Sequence, residues 1–177
     1  MSTEEEQTLS PASDWLQRWP QATQPGATAL DLACGRGRHL RYLISHGMSV
    51  TGVDRDVAAT APWRDLAEII NADIEADPWP LAGRQFDLVL VTNYLWRPLL
   101  PTIVQSVAPG GWLIYETFAA GQERIGRPAR PEFLLQPGEL IQACSSLNIK
   151  AYEDLYVPGE NARYVQRIAA IRPQVRS

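Results

Sequence analysis

The feature that most constrains the fold is the order of the apolar segments between residues 28 and 172. Strand-like and helix-like runs alternate as far as residue 145, and two strand-like runs, at residues 149–156 and 163–171, then follow each other across a short Pro-Gly loop. Alternation predicts parallel strands joined by helices that cover both faces of a sheet, whereas two strands without an intervening helix must pair as an antiparallel hairpin. We therefore predict a doubly wound α/β fold with a seven-stranded, mostly parallel sheet and one antiparallel strand from the C-terminal hairpin.

Turn and cap signals predict where the helices of this fold begin and end. A helix is predicted at residues 38–45, where Gly47 ends it, and another at residues 99–107, which Pro109-Gly110-Gly111 should end. Two further helices are predicted at residues 63–68 and 138–145.

The N-terminal segment differs from the rest of the chain. Ser10 followed by Pro11 predicts a short helix with Ser10 as its N-cap. Trp15, Leu16 and Trp19 then share one face, which we expect to pack on the body of the protein. The predicted division is an N-terminal helical extension at residues 1–27 and a domain at residues 28–177.

A glycine loop follows the first predicted strand, where Gly35 and Gly37 precede a helix. Glycines at this point let a ligand approach the backbone and the first amides of the helix. A dinucleotide fingerprint would need a third glycine near position 40, which is Leu40, and Asp31 in the strand would repel a pyrophosphate. The loop therefore favours a ligand that has an ammonium and no phosphates, and a nicotinamide-dependent dehydrogenase is disfavoured.

Two more aspartates stand at predicted strand ends. Asp54 ends the second strand, where a carboxylate can accept both hydroxyls of a ribose, and Asp73 follows the third strand, where it can accept from the exocyclic amine of adenine. Together with Asp31 they predict a nucleoside site. The alternative is that these aspartates are ordinary caps and turn residues.

These segments, together with Phe86-Asp87-Leu88-Val89 and Ala108-Pro109-Gly110-Gly111-Trp112-Leu113, resemble the class I S-adenosylmethionine-dependent methyltransferases over roughly residues 28–172. Within that family the likeness is to small enzymes of the tellurite-resistance and thiopurine type. The resemblance implies a Rossmann-like fold, an enzyme, and S-adenosyl-L-methionine as the cofactor, with S-adenosyl-L-homocysteine as the product. It also implies the cofactor-binding residues, which are Asp31, Ala33, Cys34, Gly35, Gly37, Asp54, Arg55, Ala72, Asp73, Ile74, Thr92 and Asn93.

The acceptor is expected at the carboxyl ends of the fourth and fifth strands. The connection at residues 117–137 is basic and rich in glycine and proline, which predicts a lid over an anionic acceptor, and a solvated loop paired with its own glutamates is the alternative. An Asn-Pro-Pro-Tyr tetrad, which holds a base amine in related enzymes, is absent at residues 92–95, so methylation of a nucleic-acid base is disfavoured. The substrate candidates are Tyr94, Trp96, Arg97, Arg124, Arg127 and Arg130.

No residue is identified as the catalytic base. Methyl transfer from a sulfonium is an in-line displacement that depends mainly on alignment and on exclusion of water. The candidates are Tyr94, Glu116 and His39, and each has a structural alternative, as a core residue, a cap and a buried histidine, respectively.

Composition excludes several classes of function. The net charge of −4 argues against binding of nucleic acid through its phosphates. No apolar run approaches the roughly 20 residues of a membrane span, the acidic N-terminus lacks the apolar region of a secretory signal, and two cysteines form neither a disulfide framework nor a zinc site. We expect a cytoplasmic monomer or homodimer that binds no metal and no membrane, with nucleic acid disfavoured as a partner.

The predicted function is S-adenosylmethionine-dependent methylation of a small acceptor, which is anionic if the loop arginines bind it. A non-catalytic S-adenosylmethionine-binding sensor or partner module is one alternative. Methylation of RNA or protein is the other.

Overall fold

The computed structural model describes residues 10–174, and one sheet of seven strands forms its centre. The strand order is β3-β2-β1-β4-β5-β7-β6. Strands β1 to β5 pair in parallel, whereas β7 is antiparallel to both β5 and β6. One strand is therefore reversed, as predicted. The strands are β1 (Thr28–Leu32), β2 (Ser49–Asp54), β3 (Glu68–Asn71), β4 (Phe86–Thr92), β5 (Val107–Phe118), β6 (Asn148–Val157) and β7 (Arg163–Ile171).

Short helices lie on both faces of the sheet. The α-helices are α1 (Asp14–Gln17), α2 (Arg38–Ser45), α3 (Leu100–Gln105) and α4 (Glu139–Ala143). Short 3₁₀ helices occur at Pro20–Ala22, Ala58–Trp63, Arg97–Leu99, Gln122–Arg124 and Pro131–Phe133.

Two apolar clusters show how the helices cover the sheet. On one face, α1 and α2 contribute Leu16 and Leu40, which pack with Leu88 of β4. On the other face, α3 and α4 contribute Ile103 and Leu140, which pack with the alternate residues of the same strands. Helices on both faces were predicted from the alternation of elements, and the two clusters confirm this arrangement.

Three predicted helices differ from the structure, of which the one at residues 138–145 is shortened to α4, Glu139–Ala143. Residues 63–68 are not a helix, because β3 already begins at Glu68, whose carboxylate accepts a hydrogen bond from the Thr51 hydroxyl at 2.8 Å. The predicted helix at residues 99–107 ends at Gln105, and residues 109–111 lie inside β5. Gly111 permits this course because a Cβ there would lie 2.9 Å from the Phe86 carbonyl oxygen.

The predicted N-cap of the first helix is also wrong. Ser13, and not Ser10, caps α1, because its hydroxyl oxygen accepts hydrogen bonds from the amides of Trp15 at 3.1 Å and Leu16 at 3.4 Å. The prediction that this segment packs on the body is confirmed, since Trp15 and Leu16 are buried. Residues 1–9 of the predicted extension lie outside the described residues.

Candidate functional site

The glycine loop joins β1 to α2 at the carboxyl edge of the sheet. Ala33, Gly35 and Gly37 all have positive φ, at 55°, 52° and 82°. The Gly35 amide donates to Asp54 Oδ2 at 2.8 Å, which fixes the loop against the end of β2. Gly37 is required for space as well as for its φ, because a Cβ there would lie 2.9 Å from the Trp63 ring. The backbone of the loop is therefore set by its glycines and by Asp54.

Asp31 lies beneath this loop and is buried. Neither of its carboxylate oxygens has a hydrogen-bond partner among residues 10–174. Burial raises the pKa of Asp31 from 3.8 to about 8, with an opposing contribution from Arg38 and a further rise from Asp54. A buried carboxylate without a donor is a site for a ligand cation or donor, such as an ammonium.

His39 is buried between β1 and the segment that precedes α1. Burial, followed by the charge of Arg38, lowers the pKa of His39 to about 3, so the ring is neutral. The Ser13 amide donates to its Nε2 at 3.2 Å, which places the ring proton on Nδ1, 3.9 Å from Asp31 Oδ1. His39 thus binds Ser13 and lies beside Asp31 without a hydrogen bond to it, and it lines neither of the two cavities described below.

A first cavity of about 230 Å³ lies beside the glycine loop. Asp54 accepts the Asp56 amide at 2.9 Å, and Asp73 accepts the Glu75 amide at 3.0 Å, so backbone amides orient both carboxylates. Three carboxylates and one arginine line the cavity, which disfavours phosphate-bearing ligands and fits a neutral nucleoside. The lining residues are Ala33, Asp54, Arg55, Ala72, Asp73, Ile74, Glu75, Tyr94 and Phe133.

Tyr94 belongs to this first cavity and not to the second. Burial, and then the nearby Glu75 carboxylate, raise the pKa of Tyr94, so its phenol stays protonated at neutral pH. Its carbonyl oxygen accepts a hydrogen bond from the Tyr115 hydroxyl at 2.8 Å, which anchors the loop after β4.

A second cavity of about 500 Å³ is lined by Asn93, the residue before Tyr94. The Asn93 amide donates to the Glu116 carbonyl at 2.9 Å, and its φ of 54° turns the chain away at the end of β4. Thr92, one residue earlier, pairs with Glu116 in the sheet. The cavity is lined by Ser10, Pro11, Ala12, Ser13, Asp14, Arg38, Asn93, Glu116, Phe118, Gln122, Arg127, Asn161, Ala162 and Arg163.

Glu116 is the most buried charged group of the second cavity, with 4% of its surface exposed. It accepts the Ser13 hydroxyl at 2.6 Å and Arg167 Nη1 at 3.2 Å, and Arg163 Nη2 lies 3.9 Å away. Arg167 in turn donates to Glu153 at 2.7 Å. Glu116 is therefore a fixed, charge-paired carboxylate at the wall of the cavity.

The structure separates the predicted acceptor residues. Arg127 lines the second cavity, whereas Arg124 pairs with Glu123 at 3.6 Å and Arg130 pairs with Glu132 at 2.7 Å, and both are exposed outside it.

Two other predicted acceptor residues lie elsewhere. Arg97 forms an ion pair with Glu139 at 2.6 Å, and Trp96 packs against the apolar cluster under α3 and α4. Neither side chain lines the second cavity.

Several residues of the second cavity were missed from the sequence. Gln122 is buried, and its side chain joins two segments of the chain. Its Nε2 donates to the Arg127 carbonyl and its Oε1 accepts from the Tyr164 backbone amide, both at 3.0 Å. Arg163 opens the reversed strand, and that position could have been found, because an antiparallel last strand must begin at the carboxyl edge. Ser13 and Arg38 gave no comparable signal.

Two further properties concern the described part of the chain alone. Between residues 10 and 174, no three His, Cys, Asp or Glu side chains lie close enough together to hold a metal ion. The same range contains no helix with the length and hydropathy of a membrane span.

Part of the chain matches a known family model and known protein sequences. Residues 29–111 match the family model described as a methyltransferase domain. The ribosomal protein L11 methyltransferase of Burkholderia thailandensis is 35% identical over 103 residues, which are 55% of this chain and 33% of that protein. The chain thus spans about a third of the length of the curated relatives it matches.

Known structures share the fold over nearly the whole chain. TehB from Haemophilus influenzae superposes with a TM-score of 0.74 at 19% identity, covering 94% of this chain and 64% of that one. A SAM-dependent methyltransferase from Methanosarcina mazei gives 0.70 at 16% identity, covering 94% and 100%. The N-methyltransferase NodS from Bradyrhizobium japonicum gives 0.66 at 19% identity, covering 90% and 93%.

Proposed function

We propose that this chain, which carries the methyltransferase domain and the fold of the class I S-adenosylmethionine-dependent methyltransferases, transfers a methyl group to a small anionic acceptor. The observation that carries the proposal is the pair of cavities at one edge of the sheet. Asp54 and Asp73 line the first cavity, Arg38, Arg127 and Arg163 line the second, and the consecutive residues Tyr94 and Asn93 line the first and the second, respectively.

S-adenosylmethionine is the cofactor that the family and the fold imply, and the residues of the first cavity fit it. Beneath the glycine loop and outside the lining of that cavity, Asp31 offers a buried carboxyl group without a hydrogen-bond partner to the ammonium of the methionine part. Asp54 would accept the ribose hydroxyls, and Asp73 the adenine amine. When bound, the cofactor supplies an electrophilic methyl group, and the protein has to bind, orient and desolvate the acceptor.

The second cavity supports an anionic acceptor. Arg38, Arg127 and Arg163 line it, and of the carboxylates present, Glu116 is already paired with Arg167. With Asp14 also counted, the lining of the second cavity still has a net positive charge. Guanidinium groups bind carboxylates and phosphates through paired, charge-assisted hydrogen bonds, so this lining favours such groups.

Binding of S-adenosylhomocysteine to the purified protein tests the cofactor half of the proposal. Calorimetry should show saturable binding by the wild type and a loss of at least tenfold in affinity for Asp54→Asn, because the amide cannot accept from both ribose hydroxyls and the Gly35 amide. Asp65→Asn, on an exposed aspartate outside the cofactor cavity, is the matched control. A wild-type protein that does not bind S-adenosylhomocysteine would contradict the proposal.

Methylation of a protein is the second candidate, and one observation favours it. The relative with 35% identity is a ribosomal protein L11 methyltransferase. Incubation with labelled S-adenosylmethionine separates the candidates: label in small acids supports the first, label in polypeptide or RNA of a cell extract supports a macromolecular acceptor, and cofactor binding without any transfer supports a sensor or partner module.

A further inference from the structure

The Pro131–Phe133 turn is held in place by Arg97 from the loop after β4. Arg97 Nη1 donates to the Glu132 carbonyl at 2.9 Å, and Nη2 donates to the Leu134 carbonyl at 2.8 Å. These two carbonyls flank Phe133 on either side. One guanidinium therefore fixes the backbone around a single aromatic residue.

The same guanidinium is itself fixed by Glu139 of α4. Arg97 Nε donates to Glu139 Oε1 at 2.6 Å and Nη2 to Oε2 at 2.9 Å, which is the paired geometry of a strong ion pair. Glu139 also accepts the Gln136 amide at 2.8 Å. The turn is thus connected to α4 and to the loop after β4, and it cannot shift without breaking these contacts.

Phe133 has an unusual position for a phenylalanine. Its side chain is 38% exposed, although the backbone on either side of it is held by two hydrogen bonds from Arg97. Phe133 lines the cofactor cavity together with Tyr94, Ile74 and the aspartates of the strand ends, and the Arg130 guanidinium lies 5.7 Å from the centroid of its ring. An apolar ring that is kept partly open beside polar groups fits one flat face of a heteroaromatic base.

We propose that Phe133 packs against the adenine of the cofactor and that Arg97 is the positioning residue that holds it there. This inference rests on the proposed function, because it assumes an adenosine-bearing cofactor. The connection after β5 is then divided in two: Gln122 and Arg127 serve the acceptor cavity, whereas the Pro131–Phe133 turn serves the cofactor. Arg97, a predicted acceptor residue, acts on the cofactor side.

The affinities of Phe133 variants for S-adenosylhomocysteine and for free adenosine test the contact. Loss of base stacking predicts that Phe133→Ala weakens both ligands by a similar factor, roughly 5- to 150-fold. Phe133→Trp should retain most of the affinity. Ile125→Ala is the matched control, because Ile125 is an exposed apolar residue of the same connection and lines neither cavity.

A double-mutant cycle tests the role of Arg97. Arg97→Met should weaken adenosine binding in the wild-type background and have little further effect in the Phe133→Ala background, because Arg97 acts through Phe133. A purely structural role would instead lower the unfolding temperature and weaken adenosine binding by equal factors in both backgrounds. Arg97→Lys, which keeps the charge but not the fork, should restore binding only in part.

The outcomes separate this inference from the proposed function. Unchanged affinities of Phe133→Ala for both ligands would overturn the inference alone. A wild type that binds adenosine but not S-adenosylhomocysteine would contradict the proposed function while the adenine contact stands. Failure to bind either ligand would contradict both.

Discussion

At the scale of single residues, the molecule keeps two ionisable side chains buried in their neutral forms. Burial raises the pKa of Asp31 to about 8 and lowers that of His39 to about 3. The two neutral side chains lie 3.9 Å apart and form no ion pair. Such an arrangement costs stability, which proteins accept most often where a ligand completes the site.

Asp31→Asn should therefore stabilise the free protein while weakening cofactor binding. The folded-state pKa of about 8 exceeds the ordinary value of 3.8, so between these values the folded protein binds more protons and its stability falls as pH rises. Asn cannot ionise, so the advantage of the variant should grow from pH 6.5 to pH 9, up to a few kcal/mol. Thermal unfolding at both pH values measures this effect, and calorimetry measures the accompanying loss of S-adenosylhomocysteine affinity. A variant no more stable than the wild type at pH 9 would contradict the argument.

The placement of aspartates at the strand ends could be predicted from the sequence, because local strand, turn and helix signals show where each strand ends. Asp54 and Asp73 do line one cavity. The partners of the predicted arginines could not be predicted in the same way, since tertiary structure decides which carboxylate an arginine pairs with. Arg130 pairs with its near neighbour Glu132, whereas Arg97 pairs with Glu139, 42 positions away.

At the scale of elements, α1 depends on one side chain. A helix of four residues has no stability of its own, so its cap and its buried contacts must hold it. Ser13 supplies the cap, donates its amide to His39 and donates its hydroxyl to Glu116. Trp15 anchors the same segment by donating from Nε1 to the Ile168 carbonyl at 3.0 Å.

Ser13→Ala should destabilise the protein far more than its size suggests. The lost cap costs about 1 kcal/mol, and the unsatisfied buried oxygen of Glu116 costs roughly 1–3 kcal/mol more. Ser13→Thr should recover part of this loss. Denaturant unfolding measures the free energies, and Ser10→Ala is the control, because Ser10 is exposed and does not cap the helix. Equal stability of the two alanine variants would show that the Ser13 hydroxyl is dispensable.

Element boundaries could be predicted only where local signals agreed with tertiary pairing. The predicted helix at residues 38–45 matches α2, because its apolar face lies within the segment and Gly37 and Gly47 lie at its two ends. Residues 109–111 carry a strong turn signal, and they lie inside β5 as a bulge, because the pairing with β4 passes from Val107 directly to Trp112 while Gly110 and Gly111 hydrogen-bond to Arg172 just beyond β7.

At the scale of the whole molecule, the second cavity, which is the proposed acceptor site, is lined by segments that are far apart in the chain. Residues 10–14, the end of β5, the Gln122–Arg127 part of its connection and the start of β7 all contribute. The fold class and the reversed strand could be predicted from the order of elements, and they are confirmed. The second cavity could not be predicted, because the segments that line it are distant in sequence and meet only through tertiary contacts.

Arg127 and Arg163 should together determine which acceptors are used. In transfers of labelled methyl groups to a panel of small carboxylates and phosphate monoesters, Arg127→Gln and Arg163→Gln should each raise KM roughly 10- to 100-fold, since each removes a charge-assisted hydrogen bond. Affinity for S-adenosylhomocysteine should not change. Arg124→Gln is the control, because Arg124 is an exposed neighbour outside the cavity. Neutral acceptors used as well as acids would argue against an anionic substrate.

The reversal of β7 also has an evolutionary consequence. Because β7 runs against its neighbours, the hairpin tip at residues 158–162 emerges at the edge where chemistry is expected, and it supplies Asn161 and Ala162 to the acceptor cavity but nothing to the cofactor cavity. Insertions and substitutions in this tip therefore change the wall that faces the acceptor and leave the nucleoside-binding half intact. A randomised library confined to five positions in one exposed turn is a compact way to diversify acceptor use in this scaffold.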